Sequence, residues 1–350
     1  MATLDFGGVQ EEVILPGEFP SQRLAEQARS EKICVLGYGP QGSAQALNLR
    51  DNGMNVRIYQ RKGGKGYEVA LKDGWQEGGD LFDRMEDVVP GSSVIVNLLS
   101  DAGQSETWRV LEPLLQPESM GKAKALIFAH GFSVVFSART GVTAPPAVDT
   151  ILVAPKGAGS TLRKRFLEKA NCPASFNVRN DVSGRAELRG VAYAHAVGIN
   201  TLYKTSFENE VYLDLVGERG VLLGAIAGLM KAQYDMLRSH GHTPSEAFNE
   251  SVEEATQSLY PLIGEKGLDW MFQAASATAQ RGALDWSKRF EAAVKPLFEE
   301  LYKSVVSGKE TEKVIQTQND PGYRDRLEHE LEEIRRSEMW KAGSTIRSLR

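Results

Sequence analysis

Four acids in two matched pairs, Asp214 with Glu218 and Glu250 with Glu254, carry the strongest chemical signal in the sequence. Each pair is spaced i, i+4, so on a helix its two carboxylates lie on one face, close enough to grip one cation. The flanking residues read as buried helix: Val211, Leu215, Val221, Leu222, Ile226 and Leu229 around the first pair, and Val252, Ala255, Leu259, Leu262 and Ile263 after the second. Four inward carboxylates on apolar helices repel strongly unless a cation sits between them. Oxygen-only ligands, with no Cys or His nearby, suit a hard ion, magnesium before zinc. Two solvated helix faces remain an open alternative, because acids at this spacing are common.

A second constellation lies upstream. The motif Gly37-x-Gly39-x-x-Gly42 follows the apolar run Lys32–Leu36 and opens a stretch of helical spacing, Ser43–Asn52, that stops at Gly53. A strand before and a helix after are what give three spaced glycines meaning. They let the backbone turn tightly and approach a pyrophosphate, which then sits on a helix N-terminus. The end of the next strand, Asn55–Gln60, decides which dinucleotide fits. An NAD site places an acid there for the ribose hydroxyls, whereas this chain reads Gln60-Arg61-Lys62-Gly-Gly-Lys65, with no acid until Glu68. Cations there suit the 2′-phosphate of NADP, and Arg61 offers a bidentate geometry that Lys62 lacks; a solvated basic loop is the alternative. Two more strand ends face the same crevice, Leu99-Ser-Asp101-Ala-Gly-Gln104 and Phe128-Ala-His130-Gly. His130 closes an apolar strand at the carboxyl edge, where such sheets bind ligands; a structural histidine is the alternative. Lys156, in Ala154-Pro-Lys-Gly-Ala-Gly159, ends a further strand and is placed either to meet substrate or simply to enter a helix.

Positioning these residues takes two kinds of frame. After a lead-in over residues 1–30 (a Gly-Gly turn, Pro16, Pro20 and a short helix Arg23–Arg29), strands and helices alternate. Ser93–Leu99, Ala123–Ala129 and Thr150–Ala154 are continuous apolar runs of the kind buried in a parallel sheet. Helical spacing separates them at Thr107–Leu115, Thr161–Ala170 and Arg185–Val197. Such alternation implies a doubly wound α/β, Rossmann-like domain. From about Thr205 helical periodicity takes over, over Asp214–His240, Ser245–Ile263, Leu268–Ala279 and Trp286–Val306. The expected division is therefore residues 1–205, α/β and nucleotide-binding, and residues 206–350, all-α. The charge-rich tail Asp320–Arg350 reads as a partly exposed helix with a solvated face.

Composition excludes several other classes. The chain has 350 residues, 41% apolar and 25% charged, as expected of an ordinary globular protein. A net charge of -5 and the lack of any long basic tract argue against nucleic acid as a partner. No run of eighteen apolar residues is present, so no membrane partner is expected. Cys34 and Cys172 are the only cysteines, and Cys34 sits in an apolar strand, which fits a reducing compartment rather than a disulfide framework. The first residues show neither an Arg-rich leader nor a signal-peptide core, which points to the cytoplasm.

Taken in order, Leu36-Gly-Tyr-Gly-Pro-Gln-Gly42, Leu98-Leu-Ser-Asp101, Ala129-His-Gly-Phe132, Ala154-Pro-Lys-Gly157, Asp214-Leu-Val-Gly-Glu-Arg219, Phe248-Asn-Glu-Ser-Val-Glu-Glu254 and Ser276-Ala-Thr-Ala-Gln-Arg-Gly282 resemble ketol-acid reductoisomerase, also called acetohydroxy acid isomeroreductase. The likeness covers roughly residues 3–306 and is closest to short-form members with one helical domain. It implies an α/β Rossmann-like domain followed by an all-α, knotted domain through which the chain forms a homodimer or higher homo-oligomer. It also implies two magnesium ions, NADPH and a 2-acetyl-2-hydroxy acid substrate, 2-acetolactate or 2-aceto-2-hydroxybutyrate. That substrate undergoes alkyl migration and then reduction to a 2,3-dihydroxy acid, in valine, isoleucine and leucine biosynthesis.

Residue by residue, the resemblance makes Asp214, Glu218, Glu250 and Glu254 metal ligands, the second pair coming from a partner subunit; a Glu of that pair, Glu254, is also a candidate proton relay, the alternative being that all four acids only ligate. Ser276 becomes the substrate-carboxylate contact, and His130 and Lys156 catalytic residues. Gly37, Tyr38, Gly39, Pro40, Gln41, Gly42, Arg61, Lys62, Asp101, Gln104 and Gly159 become cofactor contacts. The sequence departs from the family in two places. Gly63, Gly64 and Gly66 replace the usual serines of the 2′-phosphate loop, so NADPH preference rests on Arg61 and Lys62. Ser43 stands where many relatives have His, a change without a physical account. Two rivals make different predictions: a metal-free 3-hydroxy acid dehydrogenase would work fully in chelator, and a noncatalytic NADPH-binding regulator would turn nothing over.

Overall fold

The computed structural model describes residues 2–117, 123–318 and 320–350. The chain divides into two compact units, Met1–Val211 and Tyr212–Arg350.

Ten strands build the first unit: β1 (Ala2–Asp5), β2 (Gln10–Ile14), β3 (Lys32–Leu36), β4 (Asn55–Tyr59), β5 (Leu81–Phe82), β6 (Val94–Asn97), β7 (Ala125–Phe128), β8 (Asp149–Pro155), β9 (Pro173–Asn180) and β10 (Thr201–Lys204). They form one sheet in the order β1-β2-β10-β9-β8-β7-β6-β3-β4-β5. The six strands from β8 to β5 run parallel. Their order reverses between β3 and β6, which opens a crevice at the carboxyl ends of those two strands. Successive residues of one strand enter opposite cores. Val35, Val94, Val96 and Ile127 pack on one face, while Cys34, Leu36, Ile95 and Phe128 pack on the other. Both faces are thus covered by helices, which is why these strands read as unbroken apolar runs.

Beyond the parallel core the sheet departs from the sequence expectation. The lead-in is a hairpin, β1 and β2, antiparallel to each other and joined to β10. β9 and β10 also continue the sheet where no strand was expected. Gln10-Glu-Glu-Val-Ile and Thr201-Leu-Tyr-Lys hold few apolar residues in recognisable alternation. They are strands because neighbours supply their hydrogen bonds, and tertiary pairing outweighs weak local preference.

The second unit is helical, and among the described residues no strand follows Lys204. The expected single helix Asp214–His240 is broken. One helix, Phe207–Gly217, passes into a wide π-turn at Glu218–Leu222, and a new helix begins at Gly224. Gly220 carries the break (φ -85, ψ -130), and a Cβ there would lie 3.0 Å from the Phe298 ring. Further π-turns, Asn249–Glu253 and Ala255–Leu259, follow the helix Pro244–Phe248. Such wide turns are rare and gather at functional sites. Leu268–Ala274 is a helix as expected, though shorter, and the helix expected from Trp286 begins earlier, running over Ala277–Val306.

The tail is also corrected in part. The helix Tyr323–Arg336 is indeed surface, but Glu338–Arg347 docks. Met339 joins Tyr234, Ala247, Phe248 and Val252 in a small core. Gly343 sits so close to Phe248 that a Cβ would collide with the ring.

Candidate functional site

In the first unit the chain leaves β3 through Gly37, whose φ of +94 and approach to Leu98 (2.9 Å from a built Cβ to the carbonyl oxygen) admit only glycine. A Cβ at Gly42 would strike the Gly37 carbonyl, and one at Gly159 would strike the Pro40 carbonyl. At Gly39 nothing lies within 4 Å. The helix Pro40–Asp51 starts there with no side-chain cap, so its first N–H groups face the crevice for an anion to meet. These observations fit a dinucleotide pyrophosphate on the turn.

The other expected cofactor contacts are placed unevenly around this turn. Tyr38 points inward: its hydroxyl donates to Asp73 (2.8 Å) and accepts from Trp75 Nε1 (2.8 Å), so only its backbone belongs to the loop. Gln41 Nε2 donates to the Gly157 carbonyl (3.0 Å) and its Oε1 accepts from Gln45 (2.9 Å). That clasp ties the glycine turn to the β8 loop carrying Lys156 and Gly159. Gln60 Oε1 accepts from Tyr38 N (2.7 Å). Arg61 and Lys62 are exposed on the loop after β4, Arg61 facing Glu106 (3.8 Å) and Lys62 paired with Glu77. After β6, Asp101 begins a helix that Ser100 caps by accepting from Gly103 N (3.2 Å). Buried Gln104 donates to the Leu99 carbonyl (3.0 Å), and its Oε1 has no partner among the described residues.

His130 stands just past the end of β7, as expected. Its Nδ1 lies 3.1 Å from both carboxylate oxygens of Glu210, and Gly131 N donates to Oε2 of the same residue (3.0 Å). Glu210 is only 2% exposed, and the ring of Phe132 stacks on the imidazole at 6.1 Å. A buried carboxylate at Nδ1 fixes the orientation of the imidazole ring. Sequence reasoning missed Glu210. Its one signal was position, a single helical turn ahead of Asp214 in the same Glu-Val-Tyr-Leu-Asp segment. Lys156 lies exposed beyond β8, its backbone N donating to Pro173 (2.8 Å), with Gly157 following at φ +149.

In the second unit the acids are not buried as expected. Asp214 is half-buried, and Glu218, Glu250 and Glu254 are exposed. Val221 and Leu222 beside the first pair are 63% and 67% exposed. The physical reason is that these helices carry apolar stripes broader than their own chain covers. Among the described residues, no three of the four acids bring ligand atoms within 4.8 Å of one another. Glu250 sits in a π-turn and Glu254 at the junction between two, with Gln233 Nε2 donating to the Glu250 carbonyl (2.9 Å). Their neighbour Glu253 is taken by Arg350 in a bidentate pair (2.9 and 2.6 Å). The side chains of Glu250 and Glu254 meet no donor among the described residues. An acceptor-only, all-oxygen donor set of this kind fits magnesium. Ser276 caps the helix Ala277–Val306, its Oγ accepting from Ala279 N (3.3 Å) while staying exposed.

Two family models match the chain: "Acetohydroxy acid isomeroreductase, NADPH-binding domain" over residues 27–202 and "Ketol-acid reductoisomerase, C-terminal domain" over residues 207–350. It is 51% identical to a mitochondrial ketol-acid reductoisomerase of Neurospora crassa, over 99% of this chain and 85% of that protein. It is 48% identical to a ketol-acid reductoisomerase (NAD(+)) of Desulfosudis oleivorans, over 100% of this chain and 98% of that one. The solved structure of an NADH-preferring ketol-acid reductoisomerase from an uncultured archaeon superposes with a TM-score of 0.82 at 28% identity, covering 97% of this chain and 99% of that chain. With a nucleotide-binding sheet, paired acids on helices and matches along its whole length, the chain belongs to the ketol-acid reductoisomerase family.

Proposed function

We propose that the chain rearranges and reduces a 2-acetyl-2-hydroxy acid, 2-acetolactate or 2-aceto-2-hydroxybutyrate, to a 2,3-dihydroxy-3-methyl acid, using NADPH and two magnesium ions. Family membership makes it an oxidoreductase of branched-chain amino acid biosynthesis; the metal, the nucleotide preference and the substrates are the proposal. The observation that carries it is the selective pairing over Asn249–Glu254. Arg350 neutralises Glu253, while the carboxylates of Glu250 and Glu254 are left to a cation.

Asp214, Glu218, Glu250 and Glu254 would hold the ions, which when bound polarise the substrate's hydroxyl and carbonyl oxygens for migration, while the dinucleotide supplies hydride. Glu210 fixes the His130 ring, which accepts or returns a proton at the substrate hydroxyl. Glu254 is a second candidate for that proton. Lys156 offers a cation to substrate oxygen, and the Ser276 hydroxyl offers a hydrogen bond to the substrate carboxylate. Gly37, Gly39, Gly42 and Gly159 shape the pyrophosphate turn; Tyr38 and Pro40 contribute backbone; Gln41 clasps the two loops. Asp101 and Gln104 border the nicotinamide side, and Arg61 and Lys62 face the adenosine ribose, with Arg61 the better placed to meet a 2′-phosphate.

Residues 1–205 thus serve the nucleotide, and 206–350, folded along a knotted path, serve the metal and substrate. The exposed Val221, Leu222 and Leu229 (47%) support a homodimer or larger homo-oligomer in which the two acid pairs of one site come from different subunits. The buried free thiols Cys34 and Cys172 support a reducing, cytoplasmic compartment, and burial pushes the Cys34 thiol up to about 12. No helix among the described residues is long and apolar enough to cross a membrane.

The test is NADPH oxidation on 2-acetolactate with magnesium and then in excess chelator. Turnover only with metal supports the proposal. Full activity in chelator would hand the chain to the metal-free hydroxy acid dehydrogenase reading.

A further inference from the structure

The loop after β4 lacks the acid that an NAD site carries at its strand end, yet the fold brings one there from a distant stretch. Lys62 Nζ contacts the Glu77 carboxylate, both side chains being about half exposed (57% and 54%). Glu77 is not a loosely held surface residue. It bridges to Leu81 as an isolated β-pair, and Gly78 N donates to the Leu81 carbonyl (3.0 Å). Two residues earlier Trp75 is buried at 3% exposure, its Nε1 bonded to the Tyr38 hydroxyl inside the glycine turn. The backbone that carries this carboxylate is therefore anchored to the glycine turn through Trp75 and Tyr38. Each partner stabilises the other's charge: Glu77 lies below the usual carboxyl range chiefly through Lys62, and Lys62 is raised chiefly through Glu77. The other loop cation, Arg61, has a looser partner, Glu106 at 3.8 Å, with both side chains more than two-thirds exposed.

We propose that Glu77 sets the nucleotide preference of this site, holding Lys62 back from a 2′-phosphate while offering a ribose 2′-hydroxyl the acceptor that NAD sites use. This rests on the reading that Arg61 and Lys62 face the adenosine ribose. A dianionic 2′-phosphate approaching Lys62 meets a fixed like charge and must share the ammonium with it. A bare ribose hydroxyl meets instead a carboxylate that accepts its hydrogen bond. The linear sequence hides this, because Glu77 lies fifteen residues beyond Lys62, past a helix, Lys65–Lys72, and a turn.

The test is direct titration of the full-length protein with NADPH and with NADH, followed by nucleotide fluorescence, for the parent and for Glu77→Gln, Glu77→Asp and Lys62→Gln. Glu77→Gln is expected to raise the preference for NADPH over NADH roughly fivefold, with the gain shrinking in high salt. Glu77→Asp should stay near the parent ratio. General loosening of the loop would weaken both nucleotides alike and leave the ratio where it was, and that result overturns the proposal. So does a fall in the ratio, which would mean that Glu77 orients Lys62 for the phosphate. Lys62→Gln separates the two layers. If it lowers the ratio while Glu77→Gln does nothing, the loop reading survives and the Glu77 proposal fails. If Lys62→Gln leaves the ratio unchanged, the loop reading itself fails.

Discussion

Around Gly42 and Gly159 the fold has no room for one added carbon, whereas around Glu250 and Glu254 no donor from the described chain comes within hydrogen-bonding reach. The nucleotide end is finished by its own interior: glycines pressed on backbone, a Gln41 clasp, a histidine locked by a buried carboxylate. The acid-bearing helices are unfinished, with π-turns, exposed carboxylates and apolar side chains bare to solvent. The first arrangement is shaped by its own packing to receive a large ligand. The second, on the reading proposed above, would become a site only with cations and further protein surface in place. Perturbations should therefore act differently at the two ends.

The largest effect is expected at the unfinished end. Glu254→Gln should lower turnover of 2-acetolactate roughly 10³-fold and weaken manganese binding, seen by electron paramagnetic resonance, while NADPH affinity holds. An unchanged manganese isotherm would blur the contrast between the two ends, because Glu254 would then be an ordinary surface acid.

Next in size is Glu210→Gln, which keeps the shape around His130 and removes its charge. Turnover should fall about 10²-fold with a shifted pH profile and unaltered metal affinity. A loss of metal binding instead would move Glu210 from positioning His130 into the ligand set.

Packing at the nucleotide end is tested by a pair of glycine variants. Gly159→Ala forces a Cβ onto the Pro40 carbonyl and should cost about 1–3 kcal/mol of stability, as overpacking does, together with nucleotide affinity. Gly39→Ala, in open space, should leave the melting temperature near the parent and lose nucleotide affinity alone. Equal melting losses in both would mean the turn is shaped by folding rather than by a ligand.

The smallest effect concerns the docked tail. The Arg238 guanidinium holds the Glu338 carboxyl at about 2, against an ordinary 4.5. A depressed carboxyl stabilises fully above its unfolded value and loses that contribution as pH falls. Glu338→Gln should thus melt slightly earlier than the parent at pH 7, with the gap closing between pH 4.5 and 2. A gap independent of pH would show that the tail docks through Met339 and Gly343 alone.

Much of the nucleotide end was legible because its signals are local. Three glycines between strand and helix, and His130 at the end of Ala125–Phe128, sit where chain order puts them. Glu210 and Glu77 were not legible, since each matters only through a partner 80 or 15 residues away that the fold supplies. β2, β9 and β10 escaped for the same reason: their strand character comes from neighbours. In the helical unit, spacing gave the acids but not their exposure. Apolar periodicity around Val221 and Leu222 says that a face must be covered, without saying whether the cover is the same chain or another. Nor does periodicity register a break such as Gly220, where a single ψ ends the helix.

The account stands most directly on one variant. Glu218→Gln should abolish magnesium-dependent rearrangement of 2-acetolactate, followed by product analysis without NADPH, while nucleotide binding at the glycine turn stays as in the parent. Rearrangement at the parental rate in Glu218→Gln would contradict the assignment of these helices to the metal and leave only a nucleotide-binding sheet.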